Sequence, residues 1–334
     1  MVFHLNKKIK YPEDRKDYPT EEVDPDNFYS DEEVIKLIKD INRLKFKQDD
    51  YYKVYNCVDC GLCDTEMERI QLKEEFIKQG FRCEGLDDMK KCFEKFRTPY
   101  PTNKMRIKAP EGISQNSDTL VFMGCLSTIR IPNYTEHALQ YLLKNKIDFT
   151  ILDEEICCGW PWFVSGSPSE YESAKKENIE IFKNYTEIIC LCPACYYLYR
   201  TEYKKEMGNN IDIKYIADFL KPTNEKKSGT VGFQHLCQVI NRGREDMHHM
   251  VTNIFKKSGY SVVDIPHWCC GGGIGYMHRT DVIDAIANKR MKDFDRNDLD
   301  YVTTYCVSCW WILSRFGKKN KIHPEIKDIF ELLS

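Results

Sequence analysis

No stretch of the 334-residue chain approaches the roughly 20 consecutive apolar residues that a membrane-spanning helix needs. The most apolar uncharged candidate, Tyr301 to Leu313, has 13. A membrane anchor of its own is therefore not expected, and contact with a membrane would run through a partner. The opening MVFHLNKKIKYPEDRK lacks an apolar core followed by a small-residue cleavage site, so a cytoplasmic setting is expected rather than secretion. Charge of one sign is lacking too. With 49 basic against 52 acidic residues the formal charge is −3, which argues against a nucleic-acid partner. There is no P-loop and no Gly-x-Ser-x-Gly elbow, and Gly271-Gly-Gly-Ile-Gly275 lacks the order of a dinucleotide fingerprint. What remains is a globular composition, 42% apolar and 30% charged. Its length favours two domains or a duplication over one core.

What the chain does have is 16 cysteines in closely spaced groups. In a reducing compartment disulfides do not persist, so metal or cluster ligation is the leading reading. Ten of the cysteines form an internal repeat. Cys125, Cys157-Cys158-Gly159 and Cys192-Pro-Ala-Cys195 recur as Cys237, Cys269-Cys270-Gly271 and Cys306-Val-Ser-Cys309, at offsets of 112, 112 and 114. Cys190 has no counterpart, since Thr304 aligns with it, and is read as core.

Each group follows a short β-branched run. Thr119–Met123, Phe149–Leu152 and Glu187–Ile189 precede the first set, and Thr230–Gln234, Ser261–Val263 and Tyr301–Thr304 precede the second. Alternation of such runs with helical periodicity predicts α/β repeats with short parallel sheets. The ligands would then gather at the carboxyl ends of the strands, where open α/β sheets bind. Soft thiolates select zinc or iron–sulfur clusters. Five per copy exceed a closed zinc tetrahedron and suit a larger cluster better, with zinc as the alternative.

Before the repeat, residues 11–33 hold ten acidic side chains and three prolines, which reads as an extended arm. Ser30 and Glu33 form a capping-box pattern that opens a helix over about 31–47. Cys57-x-x-Cys60-x-x-Cys63 signals a cubane cluster, because a tight loop brings three thiolates onto adjacent irons. Cys83 and Cys92 are the available fourth ligands. Cys92 falls on an apolar helical face with Leu86, Met89, Phe93 and Phe96, so Cys83 is preferred. The expected organisation is an acidic arm and helix over 1–50, a small, mainly helical cluster domain over 51–116, and repeats over 117–222 and 223–334. Lys221–Gly229 would link the two repeats.

The lone Cys, Cys-Cys-Gly and Cys-x-x-Cys order, complete in both copies over roughly residues 118–312, resembles the CCG-domain iron–sulfur proteins of the heterodisulfide reductase B/D type. The resemblance implies two tandem, pseudo-twofold-related CCG repeats. It implies one non-cubane [4Fe-4S] cluster on Cys125, Cys157, Cys158, Cys192 and Cys195, and a second on Cys237, Cys269, Cys270, Cys306 and Cys309. Family members usually carry a fourth cysteine in the ferredoxin-like run; here Met67 stands in its place, so at most one cubane is expected.

An oxidoreductase subunit follows, in which electrons pass from the cubane to the paired clusters and reduce a disulfide or a related small-molecule acceptor. The other readings are a relay in a lactate-, glycolate-, glycerol-phosphate- or quinone-linked dehydrogenase complex, and a zinc-stabilised scaffold. No flavin or nicotinamide motif is present, so a flavoprotein or ferredoxin-type donor is implied as partner. His235 and His267, two residues before cluster cysteines, are the candidate proton donors, ahead of His248, His249 and His278. Arg242 and Arg279 read as solvated surface cations, with anion steering as the alternative. Trp160, Trp162, Trp268, Trp310 and Trp311 are expected to shield the clusters, and the glycines after Cys270 to let backbone approach one.

Overall fold

The computed structural model describes residues 29–61, 63–83, 85–267, 269–273 and 278–334. The acidic segment before Tyr29, Trp268 and Gly275 lie outside them. Helix α1 (Asp31–Lys39) opens as its sequence predicts: the Ser30 hydroxyl accepts the Glu33 N–H at 3.2 Å, and the Glu33 carboxylate accepts the Ser30 N–H at 2.7 Å. It does not run on to Lys47. Asp40 and Asn42 compete with helical bonding, a 3₁₀ turn follows at Ile41–Arg43, and Gln79 then ties the Phe46 N–H and the Leu44 carbonyl.

A single helical turn, Tyr51–Val54, leads into the Cys57–Cys63 loop, which is followed by α2 (Glu66–Lys78) and α3 (Leu86–Phe96). The inner face of α3 buries Leu86, Met89, Cys92 and Phe93, as its spacing predicts, so Cys92 packs in the core.

The rest is two α/β halves. In the first, β1 (Thr119–Phe122), β2 (Glu187–Cys190) and β3 (Asp212–Tyr215) form a parallel sheet in that order. In the second, β4 (Thr230–Phe233), β5 (Ser261–Val263), β6 (Tyr301–Thr303) and β7 (Glu325–Ile326) form a parallel sheet ordered β5-β4-β6-β7. The expected strand over 149–152 contributes only one bridge, Thr150 to Leu120, on the side of β1 where β5 flanks β4. Strands β1, β2, β4 and β6 are short and largely buried because helices cover them. These are α4 (Pro132–Lys144) and α5 (Pro168–Phe182) in the first half, and α6 (Asp246–Ser258), α7 (Thr280–Phe294) and α8 (Val307–Asn320) in the second. Cys190 is fully buried on β2. The 221–229 link forms neither helix nor strand.

Candidate metal centre

Four of the cysteine groups sit where a strand gives way to a helix. Helices Cys125–Arg130 and Cys237–Ile240 begin just beyond β1 and β4, and Cys192 and Cys306 precede helices just beyond β2 and β6. The Cys306 sulfur caps its helix by accepting the Cys309 N–H at 3.2 Å. Within each sheet, parallel strands put the two ends on one side.

All ten repeat cysteines consequently line one cleft, with about 970 Å³ of atom-free space including its open mouth. Its walls also carry Pro99, Leu126, Trp160, Leu236 and Trp311. Within each set the second cysteine of the pair is the hub. Burial alone would raise Cys158, yet hydrogen bonds from Cys157 and Cys195 bring its thiol well below the ordinary range. Cys270 is lowered likewise by Cys269 and Cys309, the latter sulfur 3.3 Å away. Cys125 and Cys157 lie 3.7 Å apart.

The glycine after each pair has a positive φ, +88° at Gly159 and +84° at Gly271, which an L side chain adopts only with strain. A Cβ at Gly159 would also come within 2.8 Å of Tyr171.

Among the described residues, the ligand atoms of His137, Asp328 and Glu331 lie within 4.8 Å of one another, but no three cysteine sulfurs do. Five thiols in each set exceed the four that close a zinc tetrahedron, and that number of donors at one cleft fits a multi-iron cluster in each set.

The N-terminal cysteines are arranged differently. The Cys60 sulfur is in hydrogen-bonding contact with Cys269, so this loop reaches the second set. Burial and the neighbouring Asp59 push the Cys57 thiol up to about 12. Beside it Lys73 and Asp59 form an ion pair at 2.7 Å, with side chains 2% and 3% exposed. The Lys73 ammonium acts on both Cys57 and Cys83. A buried cation between such thiols suits a thiolate-bound, negatively charged group. Cys83 is buried against His278, whose Nδ1 lies 3.3 Å from its sulfur and whose Nε2 lies 2.7 Å from the Ser165 hydroxyl. Met67 is exposed.

Several expectations change here. His235 and His267 are not among the residues lining the cleft. They cluster behind it with His248, ring centroids 3.9 Å (His248) and 6.5 Å (His267) from His235. Burial lowers His235 to about 2 and lowers His267 as well, so both are neutral imidazoles. Arg242 and Arg279 are not solvated cations. Arg242 pairs with Glu66 and Arg279 with Asp281, all largely buried. Both bind the N-terminal unit, through the carbonyls of Asp59 and Tyr52. Trp160 and Trp311 face the cleft, but Trp162 packs on Phe93 and Trp310 on Tyr134. The space at Gly273 is filled by the Val58 backbone of the cysteine loop.

One residue carried no signal in the sequence. Glu155 is buried, and its two carboxylate oxygens accept the N–H groups of Met123 and Gly124 at 2.7 and 2.6 Å, fixing the turn that presents Cys125. Burial pushes its pKa up to about 8 against those bonds. Its repeat counterpart is His267, and only that alignment could have drawn attention to it.

Residues 119–198 and 231–314 match the cysteine-rich domain family CCG. An uncharacterized iron–sulfur protein of Methanococcus maripaludis is 26% identical over 297 residues, which cover 83% of this chain and 60% of that protein. The chain thus spans well under two thirds of that relative's length. The D component of the dihydromethanophenazine:CoB–CoM heterodisulfide reductase of Methanosarcina mazei is 23% identical over 338 residues, covering 87% of this chain and 78% of the relative. A hypothetical protein from Helicobacter pylori, known from its crystal structure, shares the fold. Its TM-score is 0.54 at 12% identity, covering 90% of this chain and 65% of that one. No helix among the described residues is long and apolar enough to cross a membrane.

Proposed function

From its two CCG cysteine-rich domains, which make the chain a member of that family, we propose an iron–sulfur oxidoreductase subunit of a multi-subunit complex that reduces a disulfide or related acceptor. The observation that carries the reading is the one cleft lined by all ten repeat cysteines. Cys125, Cys157, Cys158, Cys192 and Cys195 would hold one non-cubane [4Fe-4S] cluster, and Cys237, Cys269, Cys270, Cys306 and Cys309 the other. Cys57, Cys60 and Cys63, with Cys83 as fourth ligand, would hold a cubane. When bound, such clusters supply one-electron steps, a pair furnishing the two electrons that, with two protons, turn a disulfide into two thiols.

The chain's own residues shape this chemistry. Trp160, Trp311, Leu126 and Leu236 make apolar walls that exclude water and strengthen electrostatic interactions inside the cleft. The Cys-Cys-Gly turns, with Gly159 and Gly271 at positive φ, and the helices starting at Cys125 and Cys237 position the thiolates. With no nicotinamide or flavin motif in the chain, electrons would come from a flavoprotein or ferredoxin-type partner. An acidic arm and helix, a small cluster domain and two repeats remain the working division, in a cytoplasmic protein that meets a membrane only through a partner.

A relay role without disulfide chemistry is the second reading. It is favoured by one observation: neither His235 nor His267, the histidines expected from the sequence to donate protons, lines the cleft.

Anaerobic quantification of iron, acid-labile sulfide and zinc, with EPR of oxidised and reduced samples, tests the cluster reading. About eight irons are expected from two four-iron clusters and about twelve with the cubane. About two zinc ions without iron would overturn it. Turnover of disulfides by reduced viologen then favours the reductase, whereas reducible clusters without turnover favour the relay.

A further inference from the structure

The two cysteine sets match in spacing but not in the charge behind them. Helices α5 and α7 follow the Cys-Cys-Gly turns, each has 15 residues, and they start at Pro168 and Thr280, the same offset of 112 that separates Cys157 from Cys269. Asn178 in the first half therefore occupies the place of Arg290 in the second.

Asn178 is neutral. Its amide donates to the carbonyls of Cys157 at 3.1 Å and Ala174 at 2.9 Å. Arg290 carries a permanent charge on a side chain only 1% exposed. Its Nε donates to Gln234 at 2.6 Å, and its Nη1 donates to the Pro266 carbonyl at 2.8 Å and to Asp293 at 2.9 Å. Its Nη2 is buried and has no hydrogen-bond partner among the described residues. Cys270 and Cys309 both feel its charge.

Leaving that nitrogen unpartnered inside a protein is costly, so packing alone does not explain the placement of Arg290. Asp293 does not cancel the charge, because at 36% exposure its carboxylate is screened by water.

We propose that Arg290 makes the two centres unequal. The centre on Cys237, Cys269, Cys270, Cys306 and Cys309 has the higher reduction potential, because the buried Arg290 cation stands behind it where the first set has the neutral Asn178. The inference rests on the iron–sulfur reading above. Reduction adds one electron to a centre and breaks no bond, so a fixed cation nearby favours the reduced form. Electrons supplied by the donor then settle first on the second centre, beside which the Cys60 loop is docked.

Anaerobic redox titration of the cluster-loaded chain, followed by EPR, tests this. The wild type is expected to show two potentials for the paired centres, at least tenfold apart in equilibrium constant, or about 59 mV for one-electron centres. Arg290→Gln should move only the higher potential down, and Arg290→Lys, which keeps the charge, should recover most of the shift. Cys158→Ser and Cys270→Ser each leave one repeat centre. The centre surviving in Cys158→Ser should titrate at the higher potential, and this pair decides the matter alone if Arg290→Gln does not fold. Coincident wild-type potentials, the reverse order in the cysteine variants, or an Arg290→Gln change that shifts both centres equally would overturn the proposal. Metal analysis showing no iron or sulfide in the wild type would defeat the iron–sulfur reading itself and the inference with it.

Discussion

The backbone of Gly273 rests directly on the carbonyl of Val58: a Cβ at position 273 would come within 2.2 Å of that oxygen. A glycine just beyond the second Cys-Cys-Gly turn, itself on the wall of the cleft, thus admits the N-terminal cysteine loop. Because the obstructing atom is backbone, it cannot swing aside. Gly273→Ala is expected to cost about 1–3 kcal/mol, the usual range for overpacking, read as a lower urea midpoint. EPR should show the N-terminal centre perturbed while the first repeat's signal is unchanged.

Arg242 joins three parts of the fold. It pairs with Glu66 at the start of α2, with Nε 3.1 Å from the carboxylate, and donates to the Asp59 carbonyl at 3.1 Å. Its guanidinium also lies over the rings of Trp160 and Tyr197 in the first half, 5.3 and 4.6 Å from their centroids. Removing it leaves Glu66 without its partner in a largely buried place, so Arg242→Ala should destabilise by about 3–5 kcal/mol. Arg242→Lys should recover less than half, because an ammonium cannot reproduce the planar fork. Chemical denaturation of the three proteins checks both statements.

The ion pair of Lys73 and Asp59 separates charge from packing. Lys73→Met alone strands a buried carboxylate next to Cys57 and is expected to cost about 3–5 kcal/mol. The double variant Lys73→Met with Asp59→Asn removes both charges, and Asn tolerates the left-handed backbone at position 59, where φ is +49°. It should therefore be more stable than the single variant. A double-mutant cycle showing additive losses would mean that the pair is not coupled.

The features legible in the sequence were those that a local rule controls. Ten cysteines at matched offsets gave the duplication, and β-branched runs ending just before them placed the ligands at strand ends. The Ser30 and Glu33 pair marked a helix start, and the period of Leu86, Met89 and Phe93 put Cys92 in the core. What escaped depends on partners far along the chain. The contact of Cys60 with Cys269 joins residues more than 200 positions apart. Arg242 and Arg279 look like ordinary surface cations until the N-terminal unit closes over them. Strands β3 and β7 are short and carry charged residues such as Lys214 and Glu325, so no alternation announces them. Phe149–Leu152 has the composition of a strand but finds only one bridge, since propensity cannot supply a neighbour.

Glu155 makes a prediction about pH. Its carboxyl titrates near 8 in the folded chain, because burial outweighs the N–H groups of Met123 and Gly124, against an ordinary value of 4.5. The folded state therefore holds a proton that the unfolded chain has released. The resulting contribution to stability is complete below about pH 4.5 and declines as pH rises toward 8, with a slope of at most about 1.4 kcal/mol per pH unit. His235 and His267 act with the opposite sign. Their folded values are lowered, so they weaken the fold as pH falls through their ordinary value of 6.5. The wild-type curve mixes the two trends, and Glu155→Gln isolates the first. The variant should be less stable at pH 5 by about 1–3 kcal/mol, because its amide nitrogen cannot accept one of the two N–H groups. The gap from wild type should shrink steadily between pH 5 and 8, since the glutamine has no proton to lose. Urea midpoints at four pH values measure that gap, and a constant difference would show that Glu155 is already ionised at pH 5.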